Sequence, residues 1–239
     1  MHFFAKKPFP VLSMLDLVKE LKGVFGMLRD PEHTESVFDI EDGLRSAEAT
    51  KLSIEYILSC PEMGPVVRER YLRKEPPDLG ALAELPVGTL GHAYSRHLTT
   101  RGFDPNYYRK VEVIDDESYC IMRTRETHDI WHVVTGFTPT PLGEIGVKAV
   151  ELAQMHRPMA AVICCGAVFR YMMRDPDELG KVLDAISAGY QLGIHAKKKL
   201  LSMKWEEMWD RDVADIREEL GITAVSPRVS GEDYDDERL

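Results

Sequence analysis

The sequence predicts an all-α protein: a single helical domain of about nine helices over residues 1–225, followed by a polar, acidic, disordered tail over 226–239. Three observations carry this reading. Apolar residues recur three and four apart along most of the chain, the spacing that gives a helix one buried face. Prolines, glycines and Asp-Pro pairs punctuate it at short intervals, as brief connections between packed helices require. Only Val111-Glu112-Val113-Ile114 alternates in the manner of a strand, and with no similar partner it reads as an extended connector.

Taken in order, residues 1–10 form an arm containing Phe and Pro, and Leu12, Leu15, Val18, Leu21, Val24, Phe25 and Leu28 mark an amphipathic helix over 11–28 that Asp30-Pro31 ends. Residues 36–40 read as a short turn or helix within an irregular stretch over 32–44. A helix over 46–59 turns Leu52, Ile54, Ile57 and Leu58 inward and stops at Pro61. The next covers 65–72, with Pro65 suited to a first turn. Another spans 82–99 with a break at Pro86-Val87-Gly88, and Gly102 marks its end. Asp115-Asp116-Glu117-Ser118 opens a long helix whose acids suit an N-terminal dipole. After Gly136 and the stiff turn Thr138-Pro139-Thr140-Pro141, helical spacing resumes from Leu142 to about Met155. The helix over 159–173 is apolar nearly all round and reads as buried. Asp175-Pro176 starts one that runs through Ile194 to Lys197-Lys198-Lys199, residues 200–209 mix apolar and charged groups, and Asp212 caps a last helix ending at Gly221.

The chain carries 239 residues, 44% of them hydrophobic and 29% charged, so it can bury a core without staples. Its formal net charge of −10 argues against nucleic acid as a partner, although much of the excess sits between Glu232 and Glu237. The apolar run Met159–Phe169 is far shorter than the roughly 20 residues a membrane span needs. The N-terminus lacks a long apolar stretch and a small-residue cleavage site, so a cytoplasmic protein without signal peptide or transmembrane helix is expected. Cys60, Cys120, Cys164 and Cys165 form no C-x-x-C pair and are expected to be reduced.

The chemistry gathers at His128-Asp129-Ile130-Trp131-His132, with eleven residues intervening before Glu144. Four residues apart on a helix, His128 and His132 share a face and can share one metal ion. In the H-E-x-x-H pattern the second residue is a general base, but Asp129 is one methylene shorter, which suits it to ligation or to orienting a ligand. The Pro-bounded turn lets the chain double back and bring Glu144 beside the histidines as a third or fourth ligand. Mixed N/O ligation of this kind takes zinc, iron or manganese. An i,i+4 histidine pair alone is also what a satisfied core pair looks like; the adjacent Asp and the Glu favour the metal. A His-Asp phosphohydrolase would need an upstream His, His92 or His97, and a downstream Asp, Asp175 or Asp184, and their spacing gives no support.

The same residues resemble the signature of the ubiquinone (coenzyme Q) biosynthesis protein 4 family. The likeness extends over roughly residues 10–222, through Leu85-Pro86-Val87-Gly88-Thr89-Leu90-Gly91, Tyr94, Gly102-Phe103-Asp104-Pro105, Arg123-Thr124-Arg125-Glu126-Thr127, Pro141-Leu142-Gly143-Glu144, Trp205-Glu206 and Leu220-Gly221-Ile222. The resemblance implies an all-α fold and a divalent metal, zinc before iron, manganese or magnesium, held by His128, Asp129, His132 and Glu144. It further implies a hydrophobic channel for a polyprenyl tail and association with a membrane surface. Two roles follow. One is an enzyme that replaces the ring carboxylate of a prenylated 4-hydroxybenzoate precursor by hydroxyl. The other is a non-catalytic scaffold that binds polyprenyl lipid and organises quinone-biosynthesis enzymes; a homodimer is a further expectation. Arg123 and Arg125 are candidates to neutralise an anionic head group, the apolar helix over 159–173 to wall a channel, and the cations and tryptophans of 197–209 to meet a membrane interface.

Overall fold

The computed structural model describes residues 41, 43–45, 47–104 and 110–231; the expected helix over 11–28, the turn over 36–40 and the acidic run 232–237 lie outside them. The described residues are all-helical, with ten α-helices and no strand. They are α1 (Glu48–Ser59), α2 (Met63–Glu69), α3 (Leu79–Ala83), α4 (Leu90–Thr99), α5 (Asp116–Thr135), α6 (Pro141–Met155), α7 (Pro158–Arg174), α8 (Leu179–His195), α9 (Val213–Leu220) and α10 (Pro227–Ser230). The break foreseen at Pro86–Gly88 separates α3 from α4, and Val111–Ile114 is extended without a partner strand.

The fold is built round α5. The Asp115 carboxylate accepts from the Ser118 N–H at 2.7 Å while Ser118 Oγ receives the Asp115 N–H at 2.9 Å, a reciprocal cap that fixes where the helix starts. At the other end each of the last four carbonyls has a partner. His132 O accepts from Gly136 N–H, Val133 O and Val134 O from Arg217 of α9 at 2.8 and 2.9 Å, and Thr135 O from Val225 N–H at 2.9 Å. Gly136 takes the left-handed conformation, φ 84°, that turns the chain back at this point. Between its ends α5 is buried nearly all round, so its polar residues lie inside. Thr124, Thr127 and Thr135 donate to the carbonyls of Cys120, Arg123 and Trp131, one turn earlier, and so need no water.

Helix α6 leaves that turn with the Thr140 hydroxyl accepting from Gly143 N–H and Pro141 in the first turn. Gly143 cannot be another residue: a Cβ there would stand 1.9 Å from Thr138 O and 2.8 Å from Ser230 O. Along its other face α6 packs closely on α8, where a Cβ on Gly189 would meet Gly146 O at 2.1 Å. The Gln154 amide completes this junction, accepting from Leu200 N–H at 2.8 Å and donating to the Gly193 and Lys198 carbonyls.

Three expectations change. Helix α7 is buried on one side only: Phe169, Met172 and Met173 are 51%, 49% and 66% exposed, because α7 lies at the edge of the bundle. The segment 197–209 sends its apolar groups inward. Leu200, Leu201 and Trp205 are fully buried, and Trp205 Nε1–H donates to Leu200 O, so they are core and not an interfacial belt. Residues 226–231, read with the tail, form α10 and its cap, and Ser230 O accepts from the N–H and hydroxyl of Thr138.

Candidate metal centre

The cluster is made where α5, the turn after it and α6 meet. His128 and His132 stand one turn apart on the buried face of α5, and Glu144 comes from the first turn of α6. His128 Nε2 lies 2.9 Å from Glu144 Oε2, His132 Nε2 lies 3.1 Å from Glu144 Oε1, and the two Nε2 atoms are 3.1 Å apart. His132 is fully enclosed and His128 nearly so, while Glu144 keeps 42% of its side chain exposed, which gives the cluster one open edge.

The donor set asks for a cation. His132 Nδ1 is 3.0 Å from the Phe137 carbonyl, which can only accept, so Nδ1 carries the hydrogen. The Nε2 of a neutral His132 is then a bare lone pair facing the Glu144 carboxylate and His128. His128 can donate a single hydrogen from Nε2, so at least one pair of lone pairs still faces across the cluster. A proton on His132 answers this, and so does a metal ion. The edges of 2.9 to 3.1 Å approach the about 3.3 Å between neighbouring ligands of a tetrahedral ion with bonds near 2.0–2.1 Å. His132, Nδ1 tied to a backbone carbonyl, has the tautomer and orientation that metal-ligating histidines need.

Electrostatics agree. Burial works against a charged His132, but the Glu144 carboxylate, through its charge and hydrogen bond, raises its pKa. Partial burial opposes ionisation of Glu144, yet His132 and then His128 hold it well below the usual carboxylate range.

Of the four nominated ligands, the structure gathers three within 4.8 Å: His128, His132 and Glu144. Asp129 borders the cluster. It is half-buried, and burial raises its pKa while His128 and His132 lower it. Its charge also acts on Tyr94 of α4, whose hydroxyl is pushed up to about 12 by burial first and the Asp129 charge next. Arg123 and Arg125 are buried and paired within the fold. Arg123 donates to both Glu206 oxygens and to Met203 O, and Arg125 to Glu41. Neither Asp175, the C-cap of α7, nor Asp184, paired with Arg228, joins the cluster. His97 of α4 does stand near it: its ring stacks on His132 with centroids 5.5 Å apart. Burial first, and His132 next, push its pKa down to about 3. A shallow groove of about 350 Å³ over Leu82, Leu85 and Trp209 is lined by none of the cluster residues.

The fold and site define a class: an all-α protein with an inward-facing cluster of two histidines and a carboxylate at a helix–turn–helix junction. Comparison with known proteins narrows it. The chain matches the family described as coenzyme Q (ubiquinone) biosynthesis protein Coq4 over residues 50–226, and it belongs to that family. It is 36% identical over 160 residues to the mitochondrial ubiquinone biosynthesis protein COQ4 of Eremothecium gossypii, covering 66% of this chain and 49% of that protein. Against the protein of the same name from Zygosaccharomyces rouxii it is 31% identical over 201 residues, 78% of this chain and 59% of the other. The chain thus spans about half to three-fifths of the length of these two relatives. A crystal structure from Nostoc punctiforme, assigned to ubiquinone biosynthesis, superposes with a TM-score of 0.78 at 36% identity over 87% of this chain and 99% of that one.

Proposed function

We propose that this protein acts in ubiquinone synthesis as a metal-dependent enzyme on a prenylated 4-hydroxybenzoate-type precursor, replacing the ring carboxylate by hydroxyl with release of CO2. The observation that carries this reading is the convergence of His128, His132 and Glu144, with His132 Nδ1 fixed on Phe137 O so that Nε2 is offered inward. Zinc is the first candidate on this donor set; iron, manganese and magnesium are the alternatives. When bound, the ion would polarise a carboxylate or phenol oxygen and stabilise charge developing there. The chain's own residues supply the rest. Phe137 O orients His132, the enclosing helices keep water from two of the three ligands, and Asp129 sits beside both imidazoles as a half-buried carboxylate able to orient a ligand or join the set. The exposed edge of Glu144 is where an occupant enters. The exchange of carboxylate for hydroxyl is a two-electron oxidation that balances overall as acid plus half a dioxygen giving phenol and CO2, so dioxygen from solution is the co-reactant.

The test is conversion of a short-chain prenylated 4-hydroxybenzoate by metal-loaded protein, followed by mass spectrometry, with each candidate metal in turn. The wild type should release the hydroxylated product, and His132→Ala should abolish it while circular dichroism stays helical. Lack of product with every metal would remove the enzymatic reading.

A second reading has its own observation. Phe169, Met172 and Met173 of α7 and Leu183, Tyr190 and Ile194 of α8 are exposed apolar side chains on neighbouring helices. They suit a lipid-binding scaffold at a membrane surface, for which the metal would hold a head group and not convert it. Tight retention of prenyl lipid without turnover would favour this reading. No described helix is long and apolar enough to cross a membrane.

A further inference from the structure

The metal-type cluster has an open edge; α4 sets His97 against His132, and the turn after α4 sets Arg101 against the turn that feeds Glu144. His97 Nε2 is buried without a hydrogen-bond partner, an unusual state for a polar atom. Its ring lies nearly parallel to that of His132, 26° between planes, and the charges that act on it are those of His132, Glu144, His128 and Arg101. Arg101, four residues further along the same helical path, is exposed. Its one hydrogen bond is a long contact of 3.5 Å from Nη1 to the carbonyl of Pro139, on the turn that feeds Glu144. Among the described residues no carboxylate pairs with it.

With two neutral imidazoles and Glu144 a divalent ion keeps one positive charge, which an ionised Asp129 beside it would cancel, and Glu144 repels an anion that enters along its edge. A guanidinium beside the turn that feeds Glu144 offsets the repulsion and presents donors that match an oxyanion. The nominated Arg123 and Arg125 do not serve here, being paired with Glu206 and Glu41.

We propose that His97 and Arg101 of the α4 end form the recognition wall of this site and receive the carboxylate of its aromatic-acid occupant, Arg101 by charge-assisted hydrogen bonds and His97 through its unpartnered Nε2. The proposal rests on the metal reading above. Both are positioning residues, since they hold the acid against the cluster and neither ligates the metal.

The experiment compares two probes on zinc-loaded protein, 3-geranyl-4-hydroxybenzoate and the same phenol without its carboxylate, by dissociation constant. The wild type should prefer the acid by about tenfold or more. Arg101→Gln and His97→Phe, the latter keeping an aromatic ring against His132, should each remove most of that preference. Binding of the phenol and zinc content should not change, and Arg101→Lys should recover part of the preference. An unchanged acid-to-phenol ratio in both variants would overturn the inference. So would a loss of zinc from His97→Phe, which would make His97 only a support for His132. If the wild type takes up no zinc, the metal reading fails separately, and the same ratio on zinc-free protein decides this one: a preference that the variants lose upholds it, and a ratio near one refutes it.

Discussion

At the residue scale, His132 and Glu144 answer each other, and their titration gives the site a signature. Glu144 is depressed below its ordinary 4.5, so its contribution to stability is present above that pH and is lost as pH falls through the lower folded value. His132 is raised above its ordinary 6.5, so its contribution is present below that pH and is lost as pH rises through the raised value. Metal-free protein therefore gains most from the pair between 4.5 and 6.5 and loses that gain on the alkaline side. Partial exposure of Glu144 keeps the effect modest. Metal binding has the opposite slope, because His132 must release its proton first. Thermal melts of zinc-free and zinc-loaded protein should diverge as pH rises past the histidine range, and parallel curves would contradict the pairing. The spacing of His128, His132 and Glu144 was legible in the sequence because helix periodicity and a Pro-bounded turn suffice to bring them together. The neighbour Asp129 sits about 100° round the helix from His128, which is why it borders the cluster instead of closing it. His97 stands out in the sequence only as an upstream histidine for the unsupported phosphohydrolase reading and Arg101 not at all, since their place beside the cluster depends on how α4 packs over α5, which no local pattern encodes.

At the element scale, α5 holds both histidines, and its C-terminal end is held from a distance. Arg217 spans 83 and 84 residues of chain to cap Val134 O and Val133 O, the two orphan carbonyls that neither Gly136 nor Val225 reaches. Charged hydrogen bonds of this kind contribute about 1.5–3 kcal/mol each when desolvated, and partial burial of Arg217 places the pair toward the lower end. Arg217→Ala should lower denaturation stability by about 2 kcal/mol and loosen zinc binding with it. An unchanged denaturation midpoint would show that the cap does not position the site. The caps at Asp115, Thr140 and Asp212 and the break before α4 could be read locally, because each follows from side chains within a few residues. The segment 197–209 misled for the same reason. Its mixture of lysine, leucine and tryptophan fits a membrane interface by composition. Only the fold shows Trp205 buried in the main core with its Nε1–H on Leu200 O, and Lys198 and Lys204 paired to Glu219 and Glu69 outside. Likewise an apolar pattern all round α7 could not reveal that the bundle leaves one side of it uncovered.

At the scale of the molecule, two of the polar systems among the described residues stand in contrast. One is structural: Glu41 binds Arg125 and Arg157, Arg157 reaches Glu151, and Glu151 binds Lys148, a buried chain of charges joining the residues before α1 to α5, α6 and α7. Each of its charges has an oppositely charged partner in the chain, although Arg157 Nη1 and Glu151 Oε1 meet only as an ion pair at 3.4 Å and not as a hydrogen bond. The other is the cluster at the junction of α4, α5 and α6, which keeps an open edge and lone pairs in need of a cation. That contrast is why the functional reading rests on one and not the other. Both readings proposed above, catalytic and scaffold, place an ion in this cluster, so its presence is the central claim. The most direct measurement is elemental analysis with zinc titration of the metal-stripped protein, wild type beside His132→Ala. The account predicts one ion per chain, with affinity falling by about 100-fold or more in the variant. Wild-type protein that takes up no stoichiometric zinc, iron, manganese or magnesium, or a variant that binds as well as wild type, would contradict it.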